Sequence, residues 1–246
     1  MKVSIITVCF NSSQTILDTI DSVNIQDYKN IEHIFIDGGS SDKTLDIIKL
    51  NSKREKIIVS EEDSGLYDAM NKGLKIATGD VIGFLNSDDL FTNINAVSQI
   101  MKLMSNSNIV VGGIEMINSK NKIIRKWMPK LYNSKNIENN FYPHPAFYIK
   151  NDLLVRVGNY NLNYEISSDF DWMLRCLLNA NNQVAILEEY IVTMRLGGKS
   201  TKNIKNILKG NYEIIDSLKN NLNTNILHYI LKRIYSKSKQ FFQLNK

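Results

Sequence analysis

Apolar residues form short blocks along the first hundred positions of the chain. Four blocks are rich in β-branched residues, are bounded by polar turns and have the length of buried parallel strands. They lie at residues 3–8, 31–36, 57–59 and 81–85. A segment with apolar positions at helical spacing follows each block, at about residues 14–24, 45–50, 68–77 and 93–104. This alternation predicts an α/β fold with a mostly parallel sheet flanked by helices and joined by right-handed crossovers.

The middle of the chain follows a different pattern. Two apolar blocks at residues 109–116 and 122–127 flank a polar turn, which predicts a β-hairpin. Two prolines then fix an extended path over residues 141–149. A further helix is predicted from about Ser167, because apolar positions recur at helical spacing after it.

The end of the chain combines apolar stripes with positive charge. Stripes at residues 204–222 and 226–234 predict two amphipathic helices. Residues 199–246 carry ten Lys or Arg and two Asp or Glu, a net charge of +8, whereas the preceding residues have a net charge of −3. We therefore expect a body of residues 1–200 and a basic amphipathic helical tail of residues 201–246. The tail can pack on the body or lie on an anionic membrane surface, and the membrane is preferred for the last helix.

Composition narrows the class of protein. The 246 residues are 43% hydrophobic, which is enough for the core of a globular α/β domain. Two cysteines without a CxxC motif or a His/Cys cluster argue against a zinc site. We recognise no signal peptide, no apolar stretch of the ~18–20 residues that a membrane span needs, and no RNA-binding motif. The expectation is a cytoplasmic protein that does not bind nucleic acid.

Polar residues follow two of the predicted strands, where open α/β sheets bind their ligands. Asn86–Asp89 come directly after the fourth strand, and their amide and carboxylate oxygens suit a hard divalent cation. The alternative is a turn whose side chains cap the next helix. Asp37 ends the second strand and can accept hydrogen bonds from a base or ribose, or form an Asx-turn. Neither a GxGxxG fingerprint nor a Walker loop is present.

Four segments, in this order and spacing, resemble glycosyltransferase family 2. They are Val3–Asn11, Ile36–Thr44, Asp63–Gly73 with Ala77–Asp80 after it, and Phe84–Asp89. Each motif is weak alone, but the ordered set is specific, and the resemblance covers roughly residues 1–200. It implies a GT-A fold and an inverting, nucleotide-sugar-dependent enzyme, of the small kind that builds bacterial surface polysaccharides.

The resemblance also implies roles for individual residues in nucleotide-sugar and metal binding. Thr7 and the residues after it resemble the segment that lines the nucleoside pocket, and Asp37 resembles the acid that contacts the uracil or ribose. Asn86 and Asp88 occupy the metal motif, which is usually Asp-x-Asp. Asn86 departs from it by offering a carbonyl oxygen without charge, so Asp88 becomes the principal ligand of Mg²⁺ or Mn²⁺. Asp89 is a possible support.

The predicted helix after Ser167 carries two candidate acids in its first turn. Asp169 resembles the catalytic base of the family's Glu-Asp motif, with Ser168 in place of Glu, and Asp171 resembles a supporting residue. Stabilisation by the helix dipole would explain both acids structurally. The loop that begins at Arg195 resembles a Gly-containing loop over the active site, from which Arg195 can reach the diphosphate; the alternative is an ordinary turn. His144 resembles a position near the acceptor cleft. We interpret it as a hydrogen-bonded loop residue rather than a participant in the chemistry, and a substrate contact stays open.

The resemblance implies transfer of a hexose, glucose or galactose favoured, from a UDP-sugar to a hydroxyl of an undecaprenyl-diphosphate-linked sugar, in O-antigen or capsule biosynthesis. The basic tail agrees with such an acceptor and with a peripheral position on the inner face of the bacterial cytoplasmic membrane. Two alternatives remain. A nucleotidyltransferase would need a basic, Gly-rich phosphate loop, which residues 9–13 do not supply. A non-catalytic nucleotide-sugar-binding subunit is left open by Asn86 and Ser168. The sequence does not indicate an oligomeric state.

Overall fold

The computed structural model describes residues 1–196 and 204–222. The strands in this part of the chain are β1 (Val3–Cys9), β2 (Ile31–Asp37), β3 (Glu55–Ser60), β4 (Val81–Phe84), β5 (Leu90–Phe91), β6 (Ile109–Ile117), β7 (Ile123–Trp127), β8 (Phe147–Lys150) and β9 (Val184–Arg195). The α-helices are α1 (Ile16–Asn24), α2 (Thr44–Asn51), α3 (Leu66–Ile76), α4 (Ala96–Met104), α5 (Asn151–Val157), α6 (Ser168–Asn179) and α7 (Ile204–Asn221). Short 3₁₀ turns cover Ser134–Asn139 and His144–Ala146.

All of these strands belong to one sheet with the order β3-β2-β1-β4-β8-β6-β9-β5, and β7 pairs with β6 outside this path. The first four strands in the order are parallel, as expected for strands joined through α1, α2 and α3. Strand β8 runs antiparallel between β4 and β6, and β6 pairs in parallel with β9. The predicted α/β class, with helices flanking a mostly parallel sheet, is confirmed, as is the hairpin of β6 and β7.

Strands β1, β2 and β4 are buried on both faces, which explains why they appear in the sequence as nearly continuous apolar blocks. Alternate residues of β1 enter two different hydrophobic clusters. Ile6 and Val8 pack in the cluster that contains Leu74 of α3, and Ile5 packs in the cluster that contains Ile100 of α4. Both clusters extend into the antiparallel part of the sheet. The parallel and antiparallel parts are therefore packed against the same two clusters.

A buried polar contact joins β1 to the end of β4. The Thr7 hydroxyl donates to the carbonyl oxygen of Leu85 at 2.7 Å and lies 2.9 Å from Nε2 of His33 on β2. Burial lowers the pKa of His33 to about 3, so the imidazole is neutral at physiological pH. The Leu85 amide donates to the Ile6 carbonyl oxygen at 3.0 Å. The point at which the chain leaves the sheet after β4 is therefore fixed.

Helix α7 packs against the body of the protein through α6. Leu174 of α6 forms a small buried cluster with Ile214 and Leu218 of α7. The division of the chain at residue 200 stays a prediction, and so does the second amphipathic helix at 226–234, which lies outside the described residues. No helix in the described ranges has the length and hydropathy that crossing a membrane requires.

A buried carboxylate connects the amino ends of β1 and β2 with the turn before β4. Glu32 is inaccessible to solvent and accepts hydrogen bonds from the amides of Thr78 and Gly79 at 2.7 and 3.0 Å. The Lys2 ammonium lies 2.6 Å from the other carboxylate oxygen, and the Ser4 hydroxyl also donates to Glu32. Burial opposes ionisation, but the hydrogen bonds from Lys2, Ser4 and Thr78 outweigh it and lower the pKa of Glu32 to about 2.

We expect Glu32→Gln to lower the free energy of unfolding by roughly 2 kcal/mol at pH 7, because the variant loses a charge with satisfied partners. A lowered carboxyl pKa stabilises the folded state fully above the unfolded value of about 4.3, and this stabilisation is lost as the pH falls toward 2. The difference in the free energy of unfolding between Glu32→Gln and the wild type should therefore shrink from pH 7 to pH 4 and again to pH 3. Denaturant titrations at these three pH values measure it.

Glu55→Gln is the matched control, because Glu55 also pairs with Lys2 but its side chain is 61% exposed. Its effect should stay below about 0.5 kcal/mol. A Glu32→Gln effect that is the same at pH 7 and pH 3 would contradict the assigned pKa.

Candidate active site

A cleft of ≈ 700 Å³ opens at the carboxyl ends of β1 and β4. Its walls come from the loop after β1, the turn Asn86–Asp89 after β4, the start of α3, the 3₁₀ turn at His144, the start of α6 and the end of β9. Six separate segments of the chain therefore meet there, at the edge of the sheet where α/β proteins bind ligands.

The turn after β4 carries polar atoms that have no partner within the protein. The Asp89 amide donates to the Asn86 carbonyl oxygen at 3.0 Å, and the Asn86 side-chain amide donates to Asp89 Oδ2 at 3.3 Å. The side-chain Oδ1 atoms of both residues are buried and accept no hydrogen bond. Such atoms are costly unless a ligand, an ion or water satisfies them.

Both carboxyl groups of the turn have raised pKa values. Burial, followed by the neighbouring charge of Asp88, raises the pKa of Asp89 well above its usual range. Partial removal from bulk water also raises the pKa of Asp88, although the residue stays exposed to the cleft. A cation beside the turn would favour the ionised form of both groups.

These residues fit a hard divalent cation such as Mg²⁺ or Mn²⁺, which takes oxygen ligands. Asp88 offers an exposed carboxylate, and Asp89 and Asn86 each offer an unpartnered oxygen. The described ranges contain no group of three or more His, Cys, Asp or Glu side chains arranged around one point. A cation here would take its remaining ligands from water or from substrate oxygens.

Arg195 places a positive charge next to this turn. Its Nη1 atom donates to the Asp88 carbonyl oxygen at 3.0 Å, and its Nη2 atom pairs with the Asp18 carboxylate on α1. The side chain is 22% exposed and lines the cleft. Arg195 is thus held by two acceptors at the point where β9 ends.

Asp169 lines the same cleft as this turn and lies in the first turn of α6. The Tyr67 hydroxyl lies 2.8 Å from the Ile166 carbonyl oxygen and 3.2 Å from Asp169 Oδ1. Tyr67 is buried, so this contact limits the positions that the Asp169 carboxylate can take. Ser168, the neighbour on the chain, is fully buried and donates to the Asn161 carbonyl oxygen at 2.8 Å, outside the cleft lining.

Asp171 has a different environment from Asp169. It is buried and pairs with Arg175, with 2.9 Å between Oδ2 and Nε. Its other oxygen accepts hydrogen bonds from the Ser217 hydroxyl at 2.7 Å and the Asn221 side-chain amide at 3.1 Å. Asp171 does not line the cleft and instead connects α6 to α7.

Two residues expected to contact the ligand lie below the cleft surface. Thr7 is fully buried, and its hydroxyl makes the contacts with Leu85 and His33 described above. Asp37 is also fully buried and accepts hydrogen bonds from the amides of Gly39 and Ser40 at 3.2 and 3.0 Å. The hydroxyls of Ser40 and Ser60 donate to Asp37 as well. Neither side chain lines the cleft, so each shapes the wall from behind it.

Three more residues line the cleft: Phe10, from the segment after Thr7, and Asp63 and Glu165, for which the sequence indicates no individual role. Phe10 is 62% exposed, and its ring offers a flat apolar surface at the wall. The carboxylates of Asp63 and Glu165 also line the cleft. A Cβ atom at position 38 would lie 2.4 Å from Asp63 Oδ2, so Gly38 allows Asp63 to approach the loop after β2.

His144 also reaches the cleft, but its side chain is engaged in the core. Its Nε2 atom lies 2.7 Å from the Tyr160 hydroxyl, and its ring stands near those of Phe84 and Trp172. Burial lowers the pKa of His144, so the ring is neutral at physiological pH. This environment agrees with a hydrogen-bonded structural histidine.

Comparison with known protein families gives the class of this site. The family model described as "Glycosyl transferase family 2" matches residues 4–160, which is more than half of the chain. The chain belongs to glycosyltransferase family 2. The match includes the loop after β1 and the turn Asn86–Asp89 and ends before Asp169.

Curated relatives support the same family. An uncharacterised glycosyltransferase of Mycobacterium tuberculosis (strain CDC 1551 / Oshkosh) is 32% identical over 184 residues, which cover 72% of this chain and 69% of the relative. A PGL/p-HBAD biosynthesis glycosyltransferase of Mycobacterium bovis (strain BCG / Pasteur 1173P2) is 30% identical over 187 residues, 72% and 70% of the two chains. This family 2 chain is therefore a transferase that acts on sugars.

Solved structures share the fold. TarS of S. aureus, residues 1–349 in complex with UDP-GlcNAc, aligns over 93% of this chain and 69% of TarS, with a TM-score of 0.72 and 20% identity. The mannosyltransferase PcManGT of Pyrobaculum calidifontis, in complex with GDP-Man and Mn²⁺, aligns over 93% and 68%, with a TM-score of 0.69 and 15% identity. The expected GT-A-type fold of this family 2 glycosyltransferase is confirmed.

Proposed function

We propose that this chain transfers a hexose, glucose or galactose favoured, from a UDP-sugar to a hydroxyl group of a lipid-linked sugar, with inversion at the anomeric carbon. One observation carries the proposal. In a glycosyltransferase of family 2, a half-buried carboxylate, Asp169, lines the same cleft as the turn Asn86–Asp89 with its two unpartnered oxygens. An acid that can accept a proton and a site that can hold a diphosphate are the two requirements of this reaction.

The donor is proposed to lie with its nucleotide along the loops after β1 and β2. Phe10 offers an exposed ring for the base, and the Asp63 carboxylate can accept hydrogen bonds from it or from the ribose. Asn86, Asp89 and Arg195 would surround the diphosphate, and Thr7 and Asp37 would support the wall from below. TarS has been solved with UDP-GlcNAc and with UDP, which favours a uridine nucleotide.

Asp169 is the proposed general base. It would accept the proton of the acceptor hydroxyl as the hydroxyl oxygen attacks the anomeric carbon and the bond to UDP breaks. Because attack and departure occur on opposite faces of the sugar, one carboxylate suffices and no covalent intermediate forms. Asp88, with Asp89 and Asn86, would hold Mg²⁺ or Mn²⁺, which when bound neutralises the charge that grows on the leaving diphosphate.

The acceptor is proposed to be a sugar on undecaprenyl diphosphate, in O-antigen or capsule assembly at the inner face of the bacterial cytoplasmic membrane. The M. bovis relative is described as a PGL/p-HBAD biosynthesis enzyme. Residues 199–246, with a net charge of +8, provide the cationic segment that an anionic lipid surface would attract.

A panel of sugar nucleotides tests the central claim. We expect the protein, with Mn²⁺ or Mg²⁺, to release UDP from UDP-glucose or UDP-galactose, and faster with a lipid-linked acceptor. GDP-mannose is the informative rival donor, because the PcManGT structure contains it. If the protein binds UDP-sugars tightly but never releases UDP with any acceptor, the non-catalytic binding subunit becomes the better description.

The first substitution tests the proposed cation site. Asp88→Asn removes the exposed carboxylate of the turn, so we expect divalent-dependent UDP release to fall by about 10²-fold or more. The measurement is UDP release across a titration of Mn²⁺. Asp46→Asn, at an exposed position of α2, is the control and should leave the titration unchanged. Full activity of the wild type in EDTA would refute the metal assignment.

The second substitution tests the proposed base. Asp169→Asn keeps the shape of the side chain but cannot accept the proton, so kcat should fall by ~10²-fold or more while UDP affinity stays within about 2-fold. Initial rates at saturating donor and calorimetric UDP binding provide the two measurements.

Asp171→Asn is the comparison for the same helix turn. Asp171 is buried against Arg175 and Ser217, so this variant should lose roughly 2 kcal/mol or more of stability, and its kcat per folded molecule should change little. An active Asp169→Asn together with an inactive, fully folded Asp171→Asn would show that the base is assigned to the wrong residue.

The third test concerns the tail. The stripe of Ile226, Ile230 and Ile234 beside Lys232 and Arg233 motivates docking of the last residues on anionic lipid. Each basic group near such a surface contributes about 1 kcal/mol, and salt should weaken the binding. Removing residues 223–246 should reduce co-sedimentation with phosphatidylglycerol vesicles and transfer to a long-chain lipid acceptor.

Transfer to a short soluble acceptor analogue serves as the control and should change much less. Two results would oppose membrane docking: absence of vesicle binding by the intact protein at low salt, or unfolding of the truncated protein in circular dichroism.

A further inference from the structure

A buried carboxylate of α7 contacts the segment that leads to Asp169. Glu213 of α7 is 3% exposed, and its side chain points at the three residues before α6. Its Oε1 atom accepts a hydrogen bond from the Glu165 amide at 3.0 Å. Its Oε2 atom accepts from the amides of Ile166 and Ser167 at 2.9 and 2.8 Å. One side chain from a distant helix thus binds three consecutive backbone amides.

These three amides need an external partner. They precede the first residue of α6, so no turn of that helix can supply acceptors for them. The helix has no side-chain cap from Ser167, its N-cap residue. A carboxylate fits this position because the start of a helix carries partial positive charge. Glu213 therefore caps α6 from another helix, and its own buried charge is compensated by the same contacts.

Two further contacts hold α7 close to the same segment. The Ser167 hydroxyl donates to the Gly210 carbonyl oxygen at 3.0 Å. A Cβ atom on Gly210 would lie 2.9 Å from Cγ2 of Ile166, so glycine allows this close approach of the helix. On the cleft side, the Lys209 ammonium lies 2.7 Å from the Glu165 carboxylate.

The segment that Glu213 binds also positions the groups around Asp169. The Ile166 carbonyl oxygen receives the hydrogen bond of the Tyr67 hydroxyl, which in turn lies 3.2 Å from Asp169 Oδ1. Asp169 itself follows Ser167 by two residues, in the first turn of the helix that Glu213 caps. A shift of the amides of residues 165–167 would therefore move Asp169 and change its contact with the Tyr67 hydroxyl.

We propose that Glu213 is a positioning residue for Asp169: by binding the amides of Glu165, Ile166 and Ser167 it sets the place of the proposed base in the cleft. The inference rests on the proposed function, since it takes Asp169 as the base. It makes α7, within the predicted tail region, a part of the catalytic unit. The nucleotide side of the cleft is built by other segments and does not depend on Glu213.

The test compares two variants with one control. Glu213→Gln keeps one acceptor oxygen but turns an NH₂ group toward a backbone amide, and Glu213→Ala removes all three contacts. Asp216→Asn is the control. Asp216 is an acid on the same helix that accepts a hydrogen bond from the Tyr164 hydroxyl at 2.7 Å, and it does not line the cleft.

UDP binding by calorimetry gives the number of intact nucleotide sites, and UDP release at saturating donor gives kcat per intact site.

We expect kcat per site to fall by about 10-fold in Glu213→Gln and by about 10²-fold in Glu213→Ala, because small displacements of a catalytic group have effects of this size. UDP affinity should stay within about 2-fold, and Asp216→Asn should keep the wild-type kcat. An unchanged kcat per site in Glu213→Gln overturns the inference, since Glu213 would then only stabilise the fold. A parallel loss of UDP affinity and kcat also overturns it, because the whole cleft would then depend on Glu213.

Asp169→Asn separates the failure of this inference from failure of the proposed function. If Asp169→Asn is inactive and Glu213→Gln has wild-type kcat, the base assignment stands and the positioning role is refuted. If Asp169→Asn is fully active, the proposed base itself is wrong.

Discussion

The hydrogen bond from the Thr7 hydroxyl to the Leu85 carbonyl oxygen fixes the point at which the candidate site begins. Parallel pairing of β1 with β4 reaches Phe84, and the Leu85 amide adds one more bond to Ile6. The chain then turns away from the sheet into Asn86–Asp89. Because Thr7 also contacts a neutral, buried His33 on β2, three adjacent strands are joined at this level. The position of the turn is thus determined by the core, and residues beneath the cleft contribute to its geometry without touching a ligand.

Buried carboxylates in the described part of the chain differ in their hydrogen bonds. Glu32, Asp37, Asp171 and Glu213 are buried, and each accepts several hydrogen bonds from backbone amides or from side chains. Buried charge of this kind holds loops and helix ends in place, and its cost is offset by its contacts. Asp89 is also buried, yet one of its oxygens has no partner. The difference marks the turn after β4 as the place where an external group is needed.

Much of the fold could be predicted from the sequence because its first strands are buried on both faces. The blocks at 3–8, 31–36 and 81–85 carry few polar residues and have no other plausible environment. Strand β9 gave no such signal: it is only partly buried, Glu188 and Glu189 interrupt its apolar residues, and its pairing with β6 shifts register. Its position follows from long-range pairing, which a local pattern does not contain.

The candidate site was predicted less completely than the fold, because the sequence does not show which way a side chain at the end of a strand points. Sequence motifs located the cleft-lining Asp88, Asp89 and Asp169, because these follow a strand or begin a helix at the correct edge of the sheet. The same motifs pointed to Thr7 and Asp37, whose side chains are directed into the protein. A residue at the end of a strand can point either way, and one step along the chain reverses the face. Glu213 was missed for a different reason, because its importance depends on neighbours that are far away in the sequence.

The contacts of the turn after β4 explain why asparagine, rather than aspartate, fits at position 86. The NH₂ group of Asn86 donates to Asp89 Oδ2, a contact that a carboxylate at position 86 could not make. Aspartate there would place a third negative charge within one turn, next to a buried carboxyl whose pKa is already raised by burial and by Asp88. Asparagine keeps a side-chain oxygen without a partner in the protein, donates a hydrogen bond to Asp89, and leaves two carboxylates to balance one divalent cation. The departure from the usual Asp-x-Asp pattern is therefore compatible with cation binding and does not by itself argue for loss of catalysis.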